Sequence, residues 1–256
     1  MPTRRTFLLG ALSAAVAAAC GKAAKRSAQP ASGAHPAVTA ASGSSSPASS
    51  PAPHGGPAQY VPHGPRERRA VALTFHGSGD PALTAQMLDL STRLQVPITV
   101  FAVGQWLEQH PDLAGKILAA GHELANHTYT HPVLSRLGQL AVSQEITRCA
   151  TVLTEQTGTE GRWFRPSGIE SEPSALILDE AGKAGYATVV GFDVDSLDYE
   201  DPGARTVVAR VAAGVEPGSI VSLHLGHAGT VAAFPDIVAT LRQRSLTPVL
   251  VHDLLG

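Results

Sequence analysis

From residue 70 onward the chain alternates two kinds of apolar pattern. Short apolar or β-branched runs fall at 70–75, 98–102, 121–125, 162–165, 187–192, 219–223 and 248–251. Their lengths and flanking Gly and Pro residues predict strands. Between them lie longer segments with apolar positions near helical spacing, at 81–94, 105–120, 137–157, 172–184, 204–213 and 230–244. Leu83, Met87, Leu88 and Leu94 mark the first of these, and Gly121, Gly158, Gly185 and Gly214 stand where helices should stop. Seven strands separated by helices indicate an α/β fold with a parallel sheet, either open or closed into a barrel. Period does not choose between the two.

The first 65 residues follow neither pattern. Thr3-Arg4-Arg5-Thr6-Phe7-Leu8 is similar to a twin-arginine export signal. The apolar stretch after it, 7–19, is about thirteen residues, too short to span a bilayer and of the length of a signal core. It ends at Ala17-Ala18-Ala19-Cys20-Gly21, which resembles a bacterial lipobox. That resemblance implies cleavage before Cys20 and lipid attached to its sulfur, with ordinary signal cleavage as the alternative. Residues 21–65 are rich in Ala, Ser, Pro and Gly and poor in large apolar side chains. Such a segment buries too little surface to offset its ordering entropy, so a disordered tether is expected, with a reach of roughly 40 Å. The expected division is a signal over 1–20, a tether over 21–65 and one globular domain over 66–256, which should fold without residues 1–65.

Charge and cysteine content narrow the partners. The formal net charge is −2, and no long basic run or basic-aromatic interleaving occurs, so nucleic acid is not suggested. Membrane contact is expected through the lipid on Cys20 alone. Cys149 has only Cys20 as a companion, so it is expected to be a small buried apolar residue. A monomer is expected.

Polar residues of catalytic type collect just after the strands. His76 follows the first, His127 and His131 the third, Arg165 ends the fourth, Asp193, Asp195 and Asp198 follow the fifth, and His224 and His227 the sixth. In a parallel sheet those ends share one face, where β/α folds build their sites. His127 and His131, four residues apart, would lie on one side of a helical turn and could hold one metal ion.

These motifs resemble the polysaccharide deacetylases of the NodB type, carbohydrate esterase family four. Asn126-His127-Thr128-Tyr129-Thr130-His131 resembles that family's metal-binding histidine pair, and Phe164-Arg165-Pro166 its arginine motif. Asp195-Ser196-Leu197-Asp198-Tyr199 resembles its Asp-x-x-Asp-Trp motif with Tyr for Trp, and Leu223-His224-Leu225 its Leu-x-His motif. Gly121-His122-Glu123-Leu124 and Gly218-Ser219-Ile220-Val221 match family framework. The resemblance implies a distorted (β/α) barrel of about seven parallel strands. It also implies a divalent metal, zinc in most members, and removal of acetyl groups from acetylated polysaccharide, with His224 as general acid.

One motif departs from the pattern. Where the family has Thr-Phe-Asp-Asp-Gly-Pro, this chain has Thr74-Phe75-His76-Gly77-Ser78-Gly79-Asp80. His76 occupies the general-base position and Gly77 that of the third metal ligand. The third ligand is then His76, or Asp80 if the loop folds back, and His76 is alternatively the base. Asp198 is expected to hold His224, and Arg165 to pair with Asp198 or to reach substrate. Two readings follow: a metal-assisted cell-surface deacetylase with His76, Arg165, Asp198 and His224 as its catalytic groups, or a glycan-binding lipoprotein without turnover.

Overall fold

The structure is a computed structural model and describes residues 56–256; the expected signal, Cys20 and most of the expected tether lie outside the described residues. The expected alternation of strands and helices is present, with altered ends, one helix split in two and one strand reduced to a bridge. In chain order the elements are β1 (Gln59–Val61), β2 (Ala70–Gly77), α1 (Pro81–Leu94), β3 (Thr99–Ala102), α2 (Gly104–Gln109), α3 (Asp112–Ala119), β4 (Glu123–Asn126) and α4 (Gln139–Thr157). They continue with α5 (Ala175–Lys183), β5 (Thr188–Val190), β6 (Val194–Asp195), α6 (Ala204–Gly214), β7 (Ile220–His224), α7 (Ala228–Gln243), β8 (Thr247–Val249) and α8 (Val251–Leu255).

All pairings are parallel. One sheet runs β4-β3-β2-β7-β6, with β8 pairing the first residues of β2, and β1 pairs β5. Phe164 bridges Asn126 on one side and Val189 on the other, so it joins β4 to β5 and curves the two sheets into an incompletely closed barrel. A single sheet carries this register into the site: His76 stands opposite His224 of β7, and Ala102 opposite Asn126 of β4. The central strand β2 is buried from Val71 to Phe75 and apolar there except at Thr74, as suits a strand covered on both faces. Phe75 meets Phe234 of α7 edge-on at 5.9 Å. Among the described residues no helix is long and apolar enough to cross a membrane.

Several expectations need correction. The helix expected over 105–120 is two helices, because Pro111 has no N–H to continue the first and drives His110 out of helical geometry (φ −134°, ψ 66°). The strand expected over 162–165 is the single bridge at Phe164. The last strand stops at Val249, and Val251 opens α8. The helix expected from 172 begins at Ala175, after Pro173. The two-residue β6 gave no periodic signal. The expected tether boundary at 65 is too late. Ala58 is buried, its N–H donates to Leu178 O (2.8 Å), and Gly191 N–H donates to Val61 O (2.9 Å). Gly64 N–H donates to Gly218 O (2.8 Å). Residues 56–65 are part of the domain: three strand residues and one small buried side chain suffice to close an edge, too little for composition to reveal.

Candidate active site and metal centre

The parallel strands end on one face, and there the expected residues meet. His76, near the end of β2, and His127, one residue past β4, have ring centroids 4.4 Å apart, and His127 and His131 are 4.9 Å apart. One ring nitrogen from each of the three lies within 4.8 Å of the others. The histidine pair is not on a helical turn as its spacing suggested. Thr128 (φ 67°) and His131 (φ 60°) both take left-handed backbone, and the segment is a loop. Left-handed non-glycine residues need support from their surroundings. Asn126 Oδ1 accepts from Thr128 N–H (2.9 Å). Glu145 of α4 accepts from Tyr129 N–H (2.9 Å), Thr130 N–H (2.8 Å) and the Thr130 hydroxyl (2.7 Å). Glu145 is a supporting residue that sequence reading missed; a glutamate on an amphipathic helix carries no signal of a partner sixteen residues upstream.

These imidazoles are prepared to be ligands. His127 Nδ1 donates to Arg165 O at 2.8 Å, which leaves the lone pair on Nε2. That Nε2 is buried and has no hydrogen-bond partner among the described residues. A buried nitrogen acceptor without a donor is costly unless something electropositive meets it, and a divalent cation fits that need. Burial, reinforced by the neighbouring histidines and Arg165, holds His76 and His127 well below the usual histidine pKa; burial and His224 do the same more weakly for His131. All three are therefore neutral near pH 7, the form that binds metal. Three neutral histidines with an open fourth position are an established zinc arrangement, so the donor set fits zinc or a similar ion.

Beside this cluster stands His224, 4.4 Å from His76 by ring centroids. Its Nδ1 donates to Asp198 Oδ1 at 2.7 Å, and its main-chain N–H donates to Asp198 Oδ2 at 2.8 Å. The Thr230 hydroxyl adds a third donor to Asp198 at 2.6 Å. Burial pushes the Asp198 pKa up, but the hydrogen bonds and charge of His224 and the Thr230 hydroxyl outweigh it and leave the carboxyl below its usual value. An ionised, immobile Asp198 fixes the His224 tautomer with Nε2 free. Tyr199 lies exposed on the rim, 5.1 Å from His224 in an edge-on arrangement. His227 pairs with Asp201 (2.9 Å) in a more exposed position, 6.1 Å from the His224 ring.

Two expectations are not met by the geometry here. Arg165 neither pairs with Asp198 nor reaches the mouth. It is buried and donates to Val190 O (3.0 Å), Gly191 O (2.8 Å) and Thr74 Oγ1 (2.9 Å), with its guanidinium 4.0 Å from the centre of the Phe101 ring. Those bonds tie β2 to the β5 end, and its own carbonyl orients His127. Asp80 does not turn back to the metal. Its side chain accepts from Ala82 N–H (2.7 Å) and caps α1, with Pro81 at the first helical position, the ordinary use of an aspartate there. Gly77 faces away from the cluster. A Cβ there would lie 2.8 Å from Val100 Cγ1 and 3.0 Å from Ala102 Cα, so that position has no room for a ligand side chain. His76 is the one group of the first motif that reaches the histidine pair.

Comparison with known proteins agrees with this architecture. The polysaccharide deacetylase family model matches residues 63–189. A chitooligosaccharide deacetylase of Bradyrhizobium sp. (strain ANU 289) is 37% identical over 161 residues, 62% of this chain and 72% of that protein. A peptidoglycan-N-acetylglucosamine deacetylase of Bacillus cereus is 31% identical over 195 residues, 75% of this chain and 90% of that protein. Among solved structures, a carbohydrate esterase family four pseudoenzyme from Bacillus anthracis superimposes with a TM-score of 0.72 at 23% identity, covering 77% of this chain and 69% of that one, a likeness of fold alone.

Proposed function

The chain belongs to the polysaccharide deacetylase family, and from that premise we propose that it removes N-acetyl groups from a cell-envelope or chitin-like glycan with the help of a divalent metal. The observation that carries this reading is the convergence of three neutral imidazoles beside a histidine backed by a buried carboxylate. His76, His127 and His131 would hold the ion. When bound, a zinc-type ion supplies a Lewis acid for the acyl oxygen and lowers the pKa of water toward neutrality.

The remaining chemistry falls to His224. The family's carboxylate base has no counterpart, since His76 stands at its position and Asp80 caps a helix. His224 Nε2 is free because Asp198 holds the proton on Nδ1, so it accepts a proton from the attacking water and stabilises the resulting imidazolium through Asp198. As the carbon–nitrogen bond breaks, the same proton passes from Nε2 to the departing amine, and acetate leaves carrying the water oxygen. One imidazole thus acts in turn as base and acid. The exposed Tyr199 ring offers a face on which a sugar can stack at the rim.

Residues 1–20 carry the domain across the cytoplasmic membrane in this reading, and lipid on Cys20 holds it at the outer surface; Cys20→Ala should release it into the medium. A second reading, a glycan-binding lipoprotein without turnover, draws on the missing first-motif carboxylates. Metal content of the purified protein, followed by acetate release from N-acetylated chitooligosaccharide and from peptidoglycan, separates the two. One bound ion with acetate released supports the hydrolase, whereas glycan binding without acetate release favours the second reading.

A further inference from the structure

At the opposite end of the barrel, where the parallel strands begin, lies a separate cavity of about 1070 Å³. Gln59, Glu123 and Thr188 place it at the starts of β1, β4 and β5, and α8 borders it. None of the histidines of the acetyl-transfer site, nor Asp198, lines it. Its apolar wall includes Leu118, Leu124 and Leu250, and Leu118 is 42% exposed, unusually open for a leucine with no covering element.

The polar groups on this wall are mostly donors. Arg162 Nη1 donates to His252 Nδ1 at 2.6 Å, which puts the His252 proton on Nε2. The Arg162 guanidinium stands at the exposed mouth of the cavity, 4.8 Å over the Trp163 ring, and has no carboxylate partner among the described residues. His122 Nδ1 accepts from Ile98 N–H at 3.4 Å, so its proton is on Nε2, which is buried without an acceptor among the described residues. Glu123 is the one carboxylate of the wall. Its oxygens already accept from Trp163 Nε1 (2.6 Å), the Thr99 hydroxyl (2.9 Å) and His252 N–H (3.3 Å), so it does not answer Arg162.

We propose that this cavity binds a single-chain anionic amphiphile, with its carboxylate or phosphate on Arg162 and His252 and its chain along Leu118, Leu124 and Leu250. A held guanidinium without an acid is matched by an oxyanion, for which its fork of donors is suited. A neutral ligand would make no use of that cation, and a small inorganic anion would leave Leu118 in water. The site is independent of the deacetylase chemistry at the other end of the barrel.

Calorimetric titration of the purified full-length chain with octyl phosphate, octyl glucoside and inorganic phosphate tests the proposal. One-site binding of octyl phosphate is expected, at least about tenfold tighter than octyl glucoside, with no heat from inorganic phosphate. Arg162→Gln should weaken octyl phosphate roughly tenfold, the worth of one charged hydrogen bond, and Leu118→Ser should weaken it as well. Co-sedimentation of the Cys20→Ala chain with phosphatidylglycerol vesicles identifies the source: capture lost on adding Arg162→Gln points to a bilayer lipid, and no capture points to a free amphiphile. Octyl phosphate binding no tighter than octyl glucoside, or unchanged in Arg162→Gln, would overturn the proposal.

Discussion

His127 gives its Nδ1 proton to the carbonyl of Arg165, 2.8 Å away, and so leaves a buried Nε2 with nothing to accept from. The bond joins the histidine motif to the arginine motif through the main chain. It also explains why Arg165 is fixed by three bonds of its own: a shift of its carbonyl would turn the imidazole.

Metal binding should therefore depend on both His127 and His76. His127→Ala and His76→Ala are each expected to lower zinc affinity by at least about 100-fold, since each removes one of three ligands. Competition with a chromogenic chelator measures this directly. Full zinc affinity in His76→Ala would remove it from the ligand set and leave only a base or a structural role.

Turnover should depend on Asp198 while metal binding does not. Asp198→Asn loses the ionised acceptor of His224 Nδ1 and frees the wrong tautomer, so kcat for acetate release should fall by about 10²–10⁴-fold. Zinc stoichiometry should stay at the wild-type value. The Asn variant keeps an oxygen for the Thr230 hydroxyl or the His224 N–H, which limits the loss of stability. Loss of metal in this variant would show that the dyad supports the ligand cluster instead.

Acid should destabilise the metal-free domain through its buried histidines. Burial is the first cause that pulls down His76, His122, His127 and His131, so below the unfolded value of about 6.5 the unfolded chain binds more protons than the folded one. Stability conferred by these groups is present above about pH 6.5 and is lost as pH falls toward the folded values. Asp198, depressed in the fold, loses its contribution only below about pH 4. Urea midpoints at pH 8 and pH 5.5 in chelator measure the histidine window, and equal midpoints would contradict it.

Truncation should separate tether from domain at residue 55 and not at 65. A chain starting at Gly56 keeps β1 and its bonds to Leu178, Ala187 and Gly191, and should unfold cooperatively like the full chain. A chain starting at Arg66 loses those bonds and the buried Ala58, at a cost of about 3 kcal/mol. Thermal unfolding of the two chains side by side distinguishes them.

By itself the sequence determined the alternation of strands and helices and the collection of polar residues after strands. Those features are local: period, glycine stops and spacing are written in consecutive residues, and parallel strands bring their ends to one face. The family motifs also made plain that the usual carboxylates were missing. Contacts across the barrel were decided only by the tertiary structure. Arg165 read as a site residue because it ends a predicted strand within the arginine motif, yet its guanidinium turns inward to carbonyls more than twenty residues away. Asp80 and His76 were equal candidates on paper; a helix claimed the first as its cap, and the alternation of β2 turned the second toward His127 while packing Gly77 against Val100 and Ala102. The left-handed loop at 128–131 hangs on Glu145 from a helix that shares no motif with it. A side chain's residue type sets which bonds it can make, but its choice among them depends on which unsatisfied groups the fold brings within 3 Å, and no spacing along the chain records that.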